Sequence, residues 1–244
     1  MIGIIIQARL GSTRLPSKML LPFFQNKGIL EMLIDKLQNN YKEYPIVIAT
    51  TINKKDDEIE RLANIKTLKC YRGSENNVLE RFTEAAKRFN IDKIIRICAD
   101  NPFLNLKELD KLISIFLKTS AEYVSFITQD ATPIIKTHYG LWAEAITLDA
   151  LSKIETSNIF YQEHVTNYVY EHPEKFRIKW IPIGLENSNI RLTTDTIEDF
   201  KLNQEIYTSI NGIDYLEVND LIKYIAKNTV WVSRMLEQIN KNKK

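Results

Sequence analysis

Strand-like and helix-like segments alternate over the first 125 or so residues of this 244-residue chain, and this alternation constrains its fold more than any other feature. Short apolar, β-branched segments predict strands at 2–7, 45–51, 67–71, 93–100 and 122–126. Apolar stripes at helical spacing lie between them, at 29–37, 56–63, 78–89 and 106–117. This pattern predicts an α/β fold, a mostly parallel twisted sheet with helices on both faces and ligands at the carboxyl ends of its strands.

The second half of the chain departs from this rhythm. Residues 128–147 indicate extended chain or a hairpin, an aromatic stripe over 160–169 indicates a helix, and 176–183 alternate as a half-exposed antiparallel strand does. The remaining predicted elements are a strand at 190–195 and helices at about 197–208, 217–227 and 230–240. We predict one domain over residues 1–244, with an inserted antiparallel lobe at about 128–185.

The composition argues against several classes of protein. The net charge is only +2, without a basic tract along a helix, so nucleic-acid binding is not predicted. No apolar stretch approaches the roughly 18 residues of a membrane span, and the first residues lack the basic region of a signal peptide. Cys70 and Cys98 lie in apolar segments, which indicates reduced core thiols. We expect a cytoplasmic protein.

A basic loop follows the first predicted strand, in "QARLGSTRLPSKML". Arg9, Arg14 and Lys18 place three cations there, while Gly11 and Ser12 would let backbone amides approach a ligand. The loop lacks the glycine pattern of a Walker loop or of a dinucleotide-binding fingerprint, which disfavours a dehydrogenase. The cations predict a phosphate site at the end of the strand, and the alternative is a solvated basic loop.

Two acids that are far apart in the sequence end strand-like segments. Asp100 ends the fourth predicted strand before a proline turn, and Asp195 ends "IRLTTD". Carboxylates that meet at one sheet edge can share Mg²⁺, which prefers oxygen ligands. Asp195 or Thr196 could instead cap the following helix, since both have capping-box spacing, and Asp100 also fits a simple turn residue. If Thr196 caps the helix, Asp195 remains a candidate ligand.

Polar residues also follow the second and third predicted strands. Thr50 and Thr51 come after one of them, and Arg72 and Ser74 after the other, so all four should reach the same edge of the sheet. Their side chains could contact a nucleoside, although "RGSENN" equally fits a polar turn.

Two further arginines lack a partner that the sequence identifies. Arg96 lies within the fourth predicted strand, and a guanidinium is costly to bury unpaired, so we expect a carboxylate or a nucleotide beside it. Arg81, on the helix after the third strand, also fits a solvated helix charge.

Taken in order, these segments resemble the CTP-dependent cytidylyltransferases that make CMP-activated sugars, including the acylneuraminate and ketodeoxyoctonate enzymes. The similar blocks are "IIQARLGSTRLPSKML", "VIATTINKKDDEI", "YRGSENNVLERF", "IIRICADNPFL", "QEHVTNYVYEHPEKF" and "IRLTTDTIEDF". They cover roughly residues 1–205, and the branch of the spore-coat polysaccharide biosynthesis protein F is the most similar.

The resemblance implies a Rossmann-like nucleotidyltransferase fold and transfer of CMP from CTP to a sugar or sugar acid, with release of pyrophosphate, in surface polysaccharide or glycoconjugate biosynthesis. It implies that Asp100 and Asp195 hold Mg²⁺ or Mn²⁺ and that Arg14 and Lys18 act in catalysis with them. It also implies a homodimer formed through the inserted lobe. The implied nucleotide-binding residues are Arg9, Gly11, Ser12, Thr13, Arg14, Lys18, Thr50, Thr51, Arg72, Ser74 and Asn101.

The implied acceptor site departs from the family pattern. The family has G-L-D-V-E where this chain has "GLWAE", so Glu144 matches but Trp142 replaces an acid. Trp142 indicates an aromatic wall for a different, more apolar acceptor. Glu163 and His164 resemble an E-H-V-T block that implies acceptor binding, although His164 also fits a packed structural histidine. Ser17 replaces a glycine that is usual in the opening block.

Two other functions are compatible with such a fold. A metal-dependent glycosyltransferase of similar topology typically needs a D-x-D pair after the fourth strand, and the chain has none. A non-catalytic relative of the fold is the second, because Ser17 and Trp142 depart from the family pattern. The sequence does not identify the acceptor.

Overall fold

A computed structural model describes residues 1–186, 189–212 and 216–242, and within these ranges seven strands form one sheet in the order β3-β2-β1-β4-β6-β5-β7. The strands are β1 (Ile2–Gln7), β2 (Ile46–Thr51), β3 (Lys69–Gly73), β4 (Lys93–Cys98), β5 (Tyr123–Ile127), β6 (Glu144–Thr147) and β7 (Ile178–Pro182). β6 runs antiparallel to β4 and β5, whereas the other pairs are parallel. The predicted mostly parallel α/β sheet is confirmed.

Ten α-helices in the described ranges cover this sheet. They are α1 (Ile29–Asn40), α2 (Asp57–Ile65), α3 (Val78–Arg88), α4 (Leu106–Lys118), α5 (Leu148–Ser152), α6 (Ile159–Glu163), α7 (Asn167–Glu171), α8 (Ile197–Ser209), α9 (Val218–Ala226) and α10 (Thr229–Lys241). One hydrophobic cluster joins the sheet to α1, α2, α4, α8, α9 and α10, and a second joins its other face to α3, α5 and α7. Helices therefore lie on both faces, as predicted.

Strand β1 shows why the apolar runs of the sequence became central strands. Ile4 and Ile6 belong to one hydrophobic cluster and Ile5 to the other. Successive side chains of a strand point to opposite faces, so a strand that is covered on both sides needs an unbroken apolar run. The run ends where the strand reaches the edge, and there the basic loop begins.

Beyond residue 127 the structure corrects three predictions. The strand predicted at 176–183 forms β7, but it is parallel to β5, because its alternating pattern reflects an edge position rather than a direction. The segment 190–195 is irregular, not a strand, and Asn203 bonds to its backbone carbonyls in place of a neighbouring strand. The helix predicted over 160–169 is divided into α6 and α7.

The segment at 128–185 contributes β6 and β7 to the main sheet, with α5, α6 and α7 between them. The boundaries of an inserted lobe and its role in dimerisation stay predictions. In the part of the chain that the structure describes, no helix is both long and apolar enough to cross a bilayer.

Candidate active site

The loop between β1 and α1 crosses the carboxyl edge of the sheet and is anchored at both ends. The backbone nitrogen of Leu10 donates to Oδ1 of Asp56 at 2.7 Å, and Leu15 and Met19 are buried in the core. Ser17 has a φ of +57°, in the left-handed region that glycine adopts most easily. This conformation explains why glycine is usual at that position in the family pattern, and the turn presents the next residue, Lys18, to the interior.

The ammonium of Lys18 lies at the centre of the site. Its Nζ donates to Oδ2 of Asp100 at 2.8 Å, to the carbonyl oxygen of Thr194 at 2.6 Å and to Oδ1 of Asp195 at 3.3 Å. Burial favours the neutral amine and lowers the pKa of Lys18, but the two carboxylates outweigh this effect and raise the pKa above its ordinary value. Lys18 is therefore a charged group held at the meeting point of the two predicted acids.

Two arginines also hold the carboxylate of Asp195, one at each of its oxygens. Arg14 places Nη2 3.3 Å from Oδ1 of Asp195, and Arg191 places Nη2 3.1 Å from Oδ2. Arg191 also binds both carboxylate oxygens of Asp199, at 2.7 and 2.8 Å, and its Nη1 lies 2.6 Å from Nδ1 of His138. Burial lowers the pKa of Arg191, whereas Asp199 and Asp195 raise it above the ordinary value.

Arg191, Asp199 and His138 are site residues that sequence reasoning missed. Arg191 is 1% exposed and fully paired, although it lies in a segment whose pattern predicts an ordinary strand. Asp199 has the signal that could have found it, the capping box with Thr196. In that box the Asp199 backbone nitrogen donates to Thr196 Oγ1 at 3.1 Å, and the Thr196 nitrogen donates to the Asp199 carboxylate at 3.0 Å.

The capping box decides between the two roles considered for Asp195. Thr196 caps α8, so the Asp195 side chain faces Lys18 and Arg14 instead of the helix end. The convergence of Lys18, Asp100 and Asp195 that the sequence predicted is thus present. Asn101 lies half-buried beside Asp100.

The groups around Lys18 are oxygen donors of the kind that a divalent ion needs. Among the described residues no group of three or more His, Cys, Asp or Glu side chains is arranged to hold a metal. Asp100, Asp195 and the Thr194 carbonyl nevertheless provide oxygen donors, which are the ligands that Mg²⁺ and Mn²⁺ prefer, and they already contact one cation, the Lys18 ammonium. Their chemistry fits a divalent ion, with substrate and water as further ligands.

The first half of the basic loop faces the turn after β3. Arg9 donates to Oε1 of Glu163 at 3.2 Å and to the carbonyl of Glu75 at 3.5 Å. A Cβ at Gly11 would lie 3.0 Å from Oε1 of Glu75, so glycine suits this close approach. Ser12 accepts a hydrogen bond from the nitrogen of Leu15 at 3.3 Å, which shapes the turn. Thr13 is exposed on the same loop.

The polar residues at the carboxyl ends of β2 and β3 brace this edge. Thr50 is fully buried, its hydroxyl has no hydrogen-bond partner among the described residues, and its nucleotide-binding role stays a prediction. Thr51 donates its hydroxyl to Asp56. Arg72 bonds through Nε to the Thr51 carbonyl at 2.9 Å, and its Nη1 lies 2.7 Å from Asp57. The nucleotide-binding roles of Thr51 and Arg72 stay predictions, but all three nitrogens of Arg72 already bond within the protein.

Arg81 is not a solvated helix charge. It is fully buried, and its Nη1 donates to the carbonyls of Ser74 and Glu75, whereas Nε and Nη2 have no partner among the described residues. Burial, together with the nearby charge of Arg9, lowers the pKa of Arg81 to about 10. Ser74 accepts from the nitrogen of Asn77 at 3.0 Å, so its hydroxyl shapes the turn before α3.

Glu144 lies in a buried network rather than on an open surface. One oxygen accepts from Nη1 of Arg96 at 2.6 Å, the hydroxyl of Tyr123 donates to the other, and Thr166 donates at 3.0 Å. The carboxylate predicted beside Arg96 is therefore confirmed as Glu144. Since the Glu144 side chain is 3% exposed, its predicted contact with an acceptor is at odds with the structure.

Trp142 belongs to the hydrophobic core. Its ring packs against Phe126 and Tyr139, with centroids 5.9 and 5.6 Å apart, and its Nε1 donates to Oε2 of Glu108 at 3.3 Å. The interpretation of Trp142 as an aromatic wall for an acceptor is therefore wrong. Burial beneath α4 accounts for an indole at this position, because its apolar body is packed and its nitrogen has a partner.

Glu163 and His164 lie at the exposed end of α6, a helix without a buried residue. Glu163 reaches the basic loop through Arg9, and the His164 ring packs on Phe160 with centroids 4.8 Å apart. His164 is exposed, and its alternative role as a packed structural histidine also stays a prediction. Acceptor binding by Glu163 and His164 stays a prediction.

Three known proteins match more than nine-tenths of this chain. A family model described as cytidylyltransferase matches residues 3–240. The uncharacterized protein MJ1063 of Methanocaldococcus jannaschii is 38% identical over 242 residues, which are 98% of this chain and 93% of that protein. The spore coat polysaccharide biosynthesis protein SpsF of Bacillus subtilis is 31% identical over 233 residues, 92% of this chain and 93% of SpsF. A solved cytidylyltransferase structure from Leptospira borgpetersenii, 33% identical, matches with a TM-score of 0.83 over 95% of this chain and 96% of that one.

Proposed function

This chain belongs to the cytidylyltransferase family, and from that premise we propose that it transfers CMP from CTP to a sugar or sugar-acid acceptor and releases pyrophosphate. The similarity to SpsF supports a product used in surface polysaccharide or glycoconjugate biosynthesis. The proposal rests on one observation above all. Lys18, from the loop after β1, contacts both Asp100, after β4, and Asp195, before α8, at the carboxyl edge of the sheet.

The positive charges of the loop suit the binding of a triphosphate and the release of pyrophosphate from it. In the proposed reaction an acceptor oxygen attacks the α-phosphorus in line, and the bond from that phosphorus to the pyrophosphate oxygen breaks. Such transfers need positioning and charge neutralisation more than covalent help from the protein. Arg14 and Lys18 would neutralise the departing pyrophosphate, while Arg9 and the backbone around Gly11 and Ser12 would hold the triphosphate.

A divalent ion is part of the proposal. Asp100 and Asp195 would hold Mg²⁺ or Mn²⁺, which when bound supplies positive charge to phosphate oxygens. Arg191 would keep Asp195 oriented, since it bonds to the far oxygen of that carboxylate.

We extend the proposal to a homodimer. The exposed apolar side chains of Ile159 and Phe160 on α6, 71% and 47% exposed, support a protein contact there. Light scattering on the purified protein tests it, and a monomer at micromolar concentration would contradict it.

A pyrophosphate-release assay tests the proposed activity. The purified protein is incubated with Mg²⁺ and each of the four nucleoside triphosphates, with a panel of sugar acids and neutral sugars as acceptors. We expect release with CTP and an acceptor, and a CMP-linked product by mass spectrometry. Transfer of a sugar from a nucleotide sugar without pyrophosphate release would favour a glycosyltransferase instead. If CTP with Mg²⁺ neither reacts nor raises the melting temperature, the chain is a non-catalytic relative.

Two substitutions locate the chemistry in the described site. Asp100→Ala and Lys18→Ala are each expected to lower turnover about 10²- to 10³-fold, because each removes a preorganised charge. Asp149→Ala, an exposed acid on α5 away from this edge, serves as the control and should leave turnover unchanged. Near-normal turnover by folded Asp100→Ala would remove the metal assignment.

A further inference from the structure

The Lys18 ammonium occupies the point where a divalent ion would meet both aspartates. Its three N–H donors face three oxygens, on Asp100, Thr194 and Asp195, at 2.8, 2.6 and 3.3 Å. An ammonium has three donors and no acceptor, so this arrangement satisfies it completely. Only 6% of Lys18 is exposed, so the ammonium that fills this position is itself shielded from solvent.

The surrounding charges balance without any added ion. Lys18, Arg14 and Arg191 contribute three positive charges, and Asp100, Asp195 and Asp199 contribute three negative ones. A divalent ion placed between Asp100 and Asp195 would add two positive charges to a neutral cluster beside an ammonium. Like charges at contact distance repel strongly in a partly buried site.

We propose that Lys18 is the resident cation of this site in the ligand-free protein and that it excludes a divalent ion until a nucleotide arrives. The inference rests on the proposed function, because it takes the incoming anion to be a nucleoside triphosphate. The phosphates give Lys18 and Arg14 a new anionic partner, and the Lys18 ammonium leaves the aspartates. The metal and the nucleotide therefore enter together, and the metal alone binds weakly.

Mn²⁺ binding without nucleotide or acceptor tests this inference. Free Mn²⁺ is titrated with the protein and measured by electron paramagnetic resonance. The ion can bind only those molecules in which the Lys18 ammonium has moved away from the aspartates. If they are about 1–10% of the total, the apparent affinity for Mn²⁺ is about 10- to 100-fold lower than that of the open site. Lys18→Met removes the competing charge, so it should bind Mn²⁺ about 10- to 100-fold more tightly than the unaltered protein. Lys18→Gln should move in the same direction.

Two controls make the result specific. Lys66 also bridges two carboxylates, of Glu31 at 2.9 Å and Asp35 at 2.7 Å on α1, and Lys27 still neutralises Asp35 when Lys66 is removed. Lys66→Met should therefore leave Mn²⁺ binding at the level of the unaltered protein. Adding Asp100→Asn to Lys18→Met should abolish the gain, which assigns it to this pair of aspartates.

The outcomes separate this inference from the proposed function. Tighter Mn²⁺ binding by Lys18→Met supports the inference about Lys18 even if the protein does not turn over CTP. It is overturned if folded Lys18→Met and Lys18→Gln bind Mn²⁺ no more tightly than the unaltered protein, or if Lys66→Met gains as much. If Lys18→Met shows no cooperative melting in the absence of Mn²⁺, added Mn²⁺ should restore a cooperative transition, because the ion replaces the missing charge. In that case a lack of restoration, together with unchanged binding by Lys18→Gln, overturns the inference.

Discussion

Replacing Arg191 by methionine is expected to destabilise the protein far more than the same replacement of Arg81. Both arginines are fully buried, at 1% and 0% exposure, so the two substitutions remove similar packed volumes. Their partners differ. Arg191 binds Asp199 through two hydrogen bonds and also contacts Asp195 and His138. Among the described residues the guanidinium of Arg81 hydrogen-bonds only to backbone carbonyls, and two of its nitrogens have no partner there.

The magnitude follows from what each substitution leaves behind. Without Arg191 the carboxylate of Asp199, 3% exposed, loses its cation, and removal of one partner from a buried pair costs about 3–5 kcal/mol. Without Arg81 the protein loses hydrogen bonds of about 1 kcal/mol each, but it also loses a buried charge that forms no direct salt bridge with a described residue. The two terms for Arg81 are opposite in sign, so its net effect on the free energy of unfolding should be small.

Thermal unfolding followed by circular dichroism measures the difference. For a domain of this size about 1 kcal/mol corresponds to roughly 2–4 °C, so Arg191→Met should lower the melting temperature by about 6–20 °C. Arg81→Met should change it by less than about 4 °C in either direction. Arg191→Lys should lie between Arg191→Met and the unaltered protein, since it keeps a charge but not the paired geometry. Equal losses for the two methionine variants would refute the reasoning that pairing, and not burial, sets the cost.

Three further predictions concern other described residues. Glu144→Ala should lower the free energy of unfolding in urea by about 3–5 kcal/mol, because it leaves the buried Arg96 without its carboxylate. Glu163→Ala removes one partner of an exposed pair and should lower it by less than about 1 kcal/mol. Similar losses in the two variants would contradict the buried network. Ser17→Gly should raise stability by up to about 1 kcal/mol because it relieves a left-handed φ, and a gain of the same size in Ser17→Ala would argue against that cause. Cys70 is half-buried, and its partial burial, with a smaller effect of Glu60, raises the pKa of its thiol to about 11. At about pH 8 iodoacetamide should therefore label Cys70 much more slowly in folded than in unfolded protein, as quantified by mass spectrometry. Equal labelling rates would contradict this effect of the fold on the thiol.

The first half of the fold could be predicted because its signals are local. The apolar run of β1 and the stripes of α1, α3 and α4 each report a buried face within a few residues of chain, and all became the elements that the sequence indicated. The edge location of Lys18 and Asp100 follows from the same logic, because each comes after the carboxyl end of a strand in a parallel sheet. The family resemblance added Asp195, whose own pattern fitted a helix cap equally well.

The sequence by itself therefore determined which segments are buried, where the parallel strands end and which charged residues reach that edge. Only the tertiary structure decided the rest: β6 lies between β4 and β5, β7 runs parallel to β5, Trp142 enters the core, and Arg191 joins Asp195 to Asp199. The physical reason is that hydrophobic periodicity reports how much of a side chain is buried but not which partner buries it. Lys18 and Asp195 lie 177 residues apart, and their contact depends on the packing of the whole sheet rather than on any local pattern.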